Sequence, residues 1–269
     1  MDQVLAEGDV RFSKYQSIPD FVRDKLVGLG GKIVYSPNQI DLDARRFQFL
    51  KTVLPREAIT VVEIGANLGY FGLSLAHDRP CKYIGYEPLE FCVSAARALA
   101  ELGDVSSHCE FRNEPVDLKD IQDLPDADLI IELNVLHHAG ALFDKDQMQR
   151  LGWRAYGLAR LKALRERSAR LFFQTGNSAG NETLFQSIDA VEFVFDLLSS
   201  AGWKVKNVGT IDDLESLEYV SHSYKNRDAA RIYACRRDPV SNLVEYRLDG
   251  SVVGHLMTGL ANRPLWYCE

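Results

Sequence analysis

The stretch ITVVEIGANLGYFGLSLAHDRPCKYIGYEP, residues 59–88, decides the fold. ITVVEI, 59–64, is an almost continuous apolar and β-branched run of the kind that forms a strand covered on both faces. GANLG then turns the chain, and YFGLSLAHD, 70–78, spaces its apolar residues as a helix does. CKYIGYE, 81–87, is a second strand, which completes a βαβ unit. Gly65 and Gly69 let the backbone approach a ligand at the positive end of the helix. The spacing is GxxxG, however, with neither the Lys-Ser or Lys-Thr of a Walker loop nor the GxGxxG of dinucleotide enzymes. Glu87 closes the second strand, 22 residues beyond Gly65. A carboxylate there can accept both hydrogen bonds of a ribose diol, so turn and acid together favour an adenosine ligand that lacks a phosphate.

Working outward, helices are expected over 18–29 and 42–54, before the first strand, as a cap or lid. A helix is expected at 89–102, strands at 108–113 and 128–134, a long helix at 148–167 with its Arg and Lys residues as solvated surface, and a strand at 169–175. The segments 203–211 and 230–237 read as a strand pair closing the sheet. In 242–259, Asp249-Gly250 sits between two alternating apolar segments, the turn chemistry of a hairpin. This divides the chain into an N-terminal helical cap (1–55), an α/β domain (56–237) and a C-terminal hairpin appendage (238–269).

The 269 residues carry 31 Lys and Arg against 38 Asp and Glu, a net charge of -7, which argues against nucleic acid as the main partner. The five cysteines form no CxxC pair, so neither a disulfide framework nor a thiolate metal site is expected, and a cytoplasmic location fits. No apolar run reaches the roughly 20 residues of a transmembrane helix.

VVEIGANLGYFGLSLA and YIGYEP resemble the first two motifs of the class I S-adenosylmethionine-dependent methyltransferases, over roughly residues 59–237. The resemblance implies a Rossmann-like, seven-stranded, mostly parallel sheet with helices on both faces, and S-adenosyl-L-methionine as cofactor. It implies that Glu63 orients the turn and the methionine amino group, that Gly65, Ala66 and Gly69 line the methionine and ribose, and that Glu87 binds the ribose. Asn113 and Glu114, after the third strand, fall where the family reads the adenine amino group; capping of the turn is the alternative.

DLIIELNVLHHAG, 128–140, places Glu132, Asn134, His137 and His138 at the carboxyl end of a central strand, the edge where open α/β sheets meet ligands. It resembles the family's fourth motif. The expected catalytic residues are His137, slightly ahead of His138, and Glu132, with Asn134 on the acceptor. A histidine near neutral pKa can take a proton from a hydroxyl, or orient an acceptor that is already anionic. The alternative is structural: one histidine caps the turn and the other packs beneath the loop. Metal ligation is not expected.

The loop 174–182 adds Gln174, Asn177 and Asn181 as neutral groups suited to a polyhydroxyl acceptor. Tyr15, Gln16, Tyr35 and Asn38 flank the lid helices, and Arg45 and Arg46 could reach an anionic acceptor or simply face solvent. Motif order and the His-His pair also resemble methyltransferases that cap bacterial surface polysaccharides. The leading expectation is therefore methylation of an oxygen on a saccharide or small molecule. An NAD-dependent oxidoreductase and a non-catalytic binding protein, using Trp266 and Tyr267 as a partner surface, are the alternatives.

Overall fold

The computed structural model describes residues 16–30, 42–57, 59–176, 178–179, 182–183, 190–211, 218–223, 234–237, 244–248, 251–255 and 263–269. Its central sheet is mostly parallel, with strands in the order β3-β2-β1-β4-β5-β13-β8-β9. Eight strands are present where seven were expected. The chain clusters into two compact units, Met1–Val116 with Pro125–Ile131, and Asp117–Leu124 with Glu132–Glu269. Strand β4 (Leu129–Leu133) passes from the first into the second.

In the first unit, β1 (Ile59–Ile64), β2 (Cys81–Tyr86) and β3 (Cys109–Arg112) are parallel, with Ile59 opposite Cys81 and Tyr83 opposite Cys109. Asp128 ties the start of β4 to β1: its Oδ2 accepts from the Thr60 amide at 2.8 Å, and its own amide donates to the Thr60 carbonyl. The N-terminal helices α1 (Asp20–Gly28) and α2 (Leu42–Val53) precede the sheet, as expected. Helix α1 packs on α4 (Glu90–Leu102), and α2 on α3 (Tyr70–Asp78). Helix α4 buries Cys92, Val93, Ala95, Ala96, Leu99 and Ala100, one stripe at helical spacing whose small side chains bring the helix close to its neighbours. Helix α3 leaves room for the Tyr83 ring at Gly72, where a Cβ would collide with it.

In the second unit, the expected long helix is broken at Gly152, whose φ of 74° suits glycine, into α5 (Lys145–Leu151) and α6 (Trp153–Arg167). Strand β5 (Leu171–Gln174) leads through the short pair β6 (Ser178–Ala179) and β7 (Glu182–Thr183) to α7 (Ala190–Ser200), which packs on α6. Strand β8 (Val205–Ile211) pairs with β9 (Tyr219–Ser223), not with the expected 230–237 segment. The latter supplies β10 (Ala234–Arg237), which joins β11 (Val244–Leu248) and β12 (Ser251–His255) in a separate antiparallel sheet. The β11–β12 hairpin is the one expected around Asp249-Gly250. The chain after it is not all appendage: β13 (Leu265–Cys268) lies between β5 and β8, antiparallel to both. Trp266 and Tyr267 are consequently buried, not exposed as a partner surface. Apolar burial explains why so short a run belongs inside the sheet.

The basic face expected for 148–167 needs a second correction. Arg160 is fully buried against the equally buried Glu132, with Nε 3.0 Å and Nη2 3.0 Å from Oε2. A buried charge survives only with its partner. Replacing Arg160 with Met should therefore cost about 3–5 kcal/mol in urea unfolding, and the double variant Glu132→Leu/Arg160→Met should recover most of it. An Arg160→Met loss under about 1 kcal/mol, the range of an exposed pair, would contradict the assignment.

Candidate functional site

The turn after β1 is built from left-handed backbone: Gly65, Asn67 and Gly69 have φ of 74°, 48° and 79°. That curl turns its amides inward. Gly65 and Ala66 both donate to the Tyr86 carbonyl, at 2.9 and 3.0 Å, and Gly69 donates to the Ala66 carbonyl at 2.8 Å. The Asn67 amide donates to Glu87 Oε2 at 3.0 Å, and the Tyr70 amide, at the start of α3, donates to Gln16 Oε1 at 3.2 Å. Five of the six amides from Gly65 to Tyr70 are thus committed within the protein.

Glu87 is buried beside this turn, and its Oε1 accepts from the Leu89 amide at 3.1 Å. Burial pushes its carboxyl up, and the two amide bonds oppose the shift. Glu63, on β1, is also buried and accepts from the Tyr83 hydroxyl at 2.6 Å. Desolvation raises its carboxyl to about 8 against the Tyr83 bond, with Asp43 and Glu87 adding to the rise.

Two residues of this region escaped the sequence reading. At Gly85, a Cβ would meet Ala66 Cβ at 2.9 Å, so the bare glycine lets the turn settle on β2; a glycine between two tyrosines of an apolar strand was the available signal. Asp43 is buried on α2 and accepts from the Ser17 amide at 2.9 Å and from Arg46 at 3.0 Å. Arg46 is accordingly buried in an ion pair and is not presented to an acceptor, whereas Arg45 is exposed.

The remaining donor-side residues divide. Ala66 is buried in the turn, and Gly69 is needed against the Phe111 ring, which a Cβ there would meet at 2.6 Å. Asn113 is exposed and donates through Nδ2 to the Glu87 and Pro88 carbonyls at 3.2 and 3.0 Å, the turn-fastening alternative; Glu114 is exposed next to it.

The second unit holds its own polar cluster. Asn134, just after β4, has φ 61° and donates from Nδ2 to Gln174 Oε1 at 2.9 Å. Its Oδ1 accepts from Arg263 Nη1 at 2.6 Å. Gln174 is buried and returns its Nε2 to the Arg263 carbonyl at 2.6 Å and to the Tyr219 hydroxyl at 3.3 Å. His137 is buried, and its Nδ1 accepts from the Gly176 amide at 3.2 Å, which places the ring proton on Nε2. Burial, then Arg263 and His138, push His137 down to about 2. His138 is half-buried, with its ring 4.0 Å from that of His137, and burial followed by Arg263 lowers it too. His137 thus has Nδ1 engaged and is sealed, while His138 is the more open. Glu132 is corrected as well, since its carboxylate belongs to the buried Arg160 pair. Arg263 was missed by the sequence reading because nothing local marks it. Tyr15, Tyr35, Asn38, Asn177 and Asn181 lie outside the described residues.

No protein-family pattern matches the chain, and no curated protein matches it. Among solved structures, monomeric WbdD is similar at 23% identity and a TM-score of 0.46, over 65% of this chain and 38% of that one. The matched region therefore spans less than two-fifths of the WbdD chain. Magnesium protoporphyrin IX methyltransferase (ChlM) from Synechocystis with bound SAH is similar at 16% identity and 0.47, over 71% of this chain and 87% of that one. A TehB-like SAM-dependent methyltransferase from Corynebacterium glutamicum is similar at 12% identity and 0.45, over 91% and 92%. Among the described residues, no helix is long and apolar enough to cross a membrane.

Glu63 yields a pH test. Its carboxyl is raised from an ordinary 4.5 to about 8, so the folded state holds a proton that the unfolded state releases. The stability it contributes is present below the unfolded value and is lost as pH rises through about 8. Glu63→Gln should flatten the decline of Tm between pH 5 and 8, removing a slope of about 1.4 kcal/mol per pH unit. Parallel Tm curves for the two proteins would contradict it.

Proposed function

We propose that the chain is an S-adenosylmethionine-dependent methyltransferase acting on an oxygen of a saccharide or small-molecule acceptor. The observation that carries this reading is the commitment of the β1 turn's amides to Tyr86, Ala66, Glu87 and Gln16. A pyrophosphate needs such amides at the helix terminus to be cradled. Here most are spent, and Asp43 and Glu87 already oppose a negative charge at Glu63. A dinucleotide would bring negative charge to that region, whereas S-adenosylmethionine brings a sulfonium and an ammonium. An NAD-dependent oxidoreductase is the weaker reading for that reason.

When bound, S-adenosylmethionine supplies a methyl group on a positively charged sulfur. The chain's own groups have separable tasks. Glu87 uses one lone pair on each oxygen for Asn67 and Leu89 and keeps others for the ribose hydroxyls. Glu63, neutral when buried alone, ionises opposite the amino group. On the acceptor side, half-buried Asn134 is the neutral polar group at the edge, held there by buried Gln174, and His138, held uncharged below its ordinary range, takes the proton of an attacking hydroxyl. His137 orients the turn through Gly176. Capping polysaccharide chains remains within this acceptor class because a sugar hydroxyl needs this kind of neutral base and hydrogen-bonding edge.

Calorimetric titration should show S-adenosylhomocysteine binding to the wild type. Glu87→Ala, checked for an intact thermal transition, should weaken it at least tenfold, about 1.4 kcal/mol. No binding to the wild type would remove the enzyme reading. His138→Gln should lower kcat by about 10²–10⁴ while leaving that affinity within twofold, and full turnover would remove His138 as base.

A further inference from the structure

The last strand of the sheet, β13, begins two residues after Arg263, so the chain's return into the sheet delivers this side chain to the turn that carries the histidines. There Arg263 closes a ring of hydrogen bonds. Its guanidinium donates to Asn134 Oδ1 at 2.6 Å, Asn134 Nδ2 donates to Gln174 Oε1 at 2.9 Å, and Gln174 Nε2 returns to the Arg263 carbonyl at 2.6 Å. Asn134 is thereby held in a left-handed conformation, φ 61°, uncommon for any residue but glycine. Gly176 is part of the same fit: a Cβ on it would meet Arg263 Cζ at 2.8 Å and His137 Cδ2 at 3.0 Å.

Arg263 Nη1 also stands 3.4 Å from His137 Nε2. Because the Gly176 amide donates to Nδ1, that Nε2 bears the proton, and the two N–H groups meet as donors. A second positive charge on this imidazole pair would face the guanidinium at close range.

We propose that Arg263 is a positioning residue of the histidine pair, fixing the turn through Asn134 and setting its guanidinium against the imidazoles. This rests on the reading of His138 as the base of methyl transfer. The groups around the pair are Arg263 ahead of β13, the Gly176 amide and Gln174 at the end of β5, the Tyr219 hydroxyl of β9 behind Gln174, and each histidine beside the other. Among the described residues, the charge acting on His138 is that of Arg263, added to burial, and the same guanidinium acts on His137.

The test is an NMR titration of the His138 imidazole in the full chain, assigned with His138→Gln, for wild type, Arg263→Gln and Arg263→Lys. The wild-type ring should titrate below the ordinary value of about 6.5. Arg263→Gln should move it up by at least half a pH unit, with the acid limb of kcat following, whereas Arg263→Lys, which keeps the charge, should leave it near wild type. An unchanged titration in folded Arg263→Gln overturns the proposal, as does an equal rise in both variants, which would assign the effect to packing. If Arg263→Gln does not fold, a His138 titration at the ordinary value in Arg263→Lys overturns it alone. The NMR titration needs no methyl donor, so its failure is separate from a failure of the wild type to bind S-adenosylhomocysteine.

Discussion

One carboxylate holds two backbone amides, and much of the candidate site in the first unit follows from it. Glu87 accepts from Asn67 on one oxygen and from Leu89 on the other, so it pins the turn after β1 to the turn after β2. The curl that brings Asn67 into reach also aims Gly65 and Ala66 at the Tyr86 carbonyl, and it requires positive φ at Gly65 and Gly69. The turn therefore satisfies itself. What it leaves for a ligand is carboxylate lone pairs, which bind hydroxyls and cations and repel phosphates. Burial strengthens that preference, because negative charge on the Glu87 carboxylate is poorly screened by water.

The second unit solves a different problem, how to keep a polar edge ordered without strong charge. Glu132 would be an acid two residues before Asn134, but Arg160 neutralises it inside the protein. Among the described residues, the groups at the edge are amides, imidazoles and a phenol, with the guanidinium of Arg263 bonded to Asn134. A neutral imidazole in such surroundings is a usable proton acceptor near neutral pH.

The β1–turn–α3–β2 unit was legible because period, glycines and strand composition all pointed the same way over residues 59–88. So was the β11–β12 hairpin, announced by Asp249-Gly250. Strand β13 was not: LWYC is four residues with no periodicity to read, and its place between β5 and β8 is decided by pairing with segments far away in the chain. The burial of Arg160 was hidden because charge type suggested solvent, and its partner Glu132 is 28 residues distant. Glu87 and the glycines could be picked out from strand-end spacing. The different burial of His137 and His138 could not, since which ring the Gly176 amide and the surrounding chain seal is decided by residues distant in sequence.

The central claim is that the β1 turn binds an adenosine unit and rejects phosphates. Titrating adenosine, AMP and ADP separately into the wild-type protein at pH 7.5 and moderate salt tests it most directly. Affinity should fall from adenosine to AMP and again to ADP. ADP binding more tightly than adenosine would contradict the account.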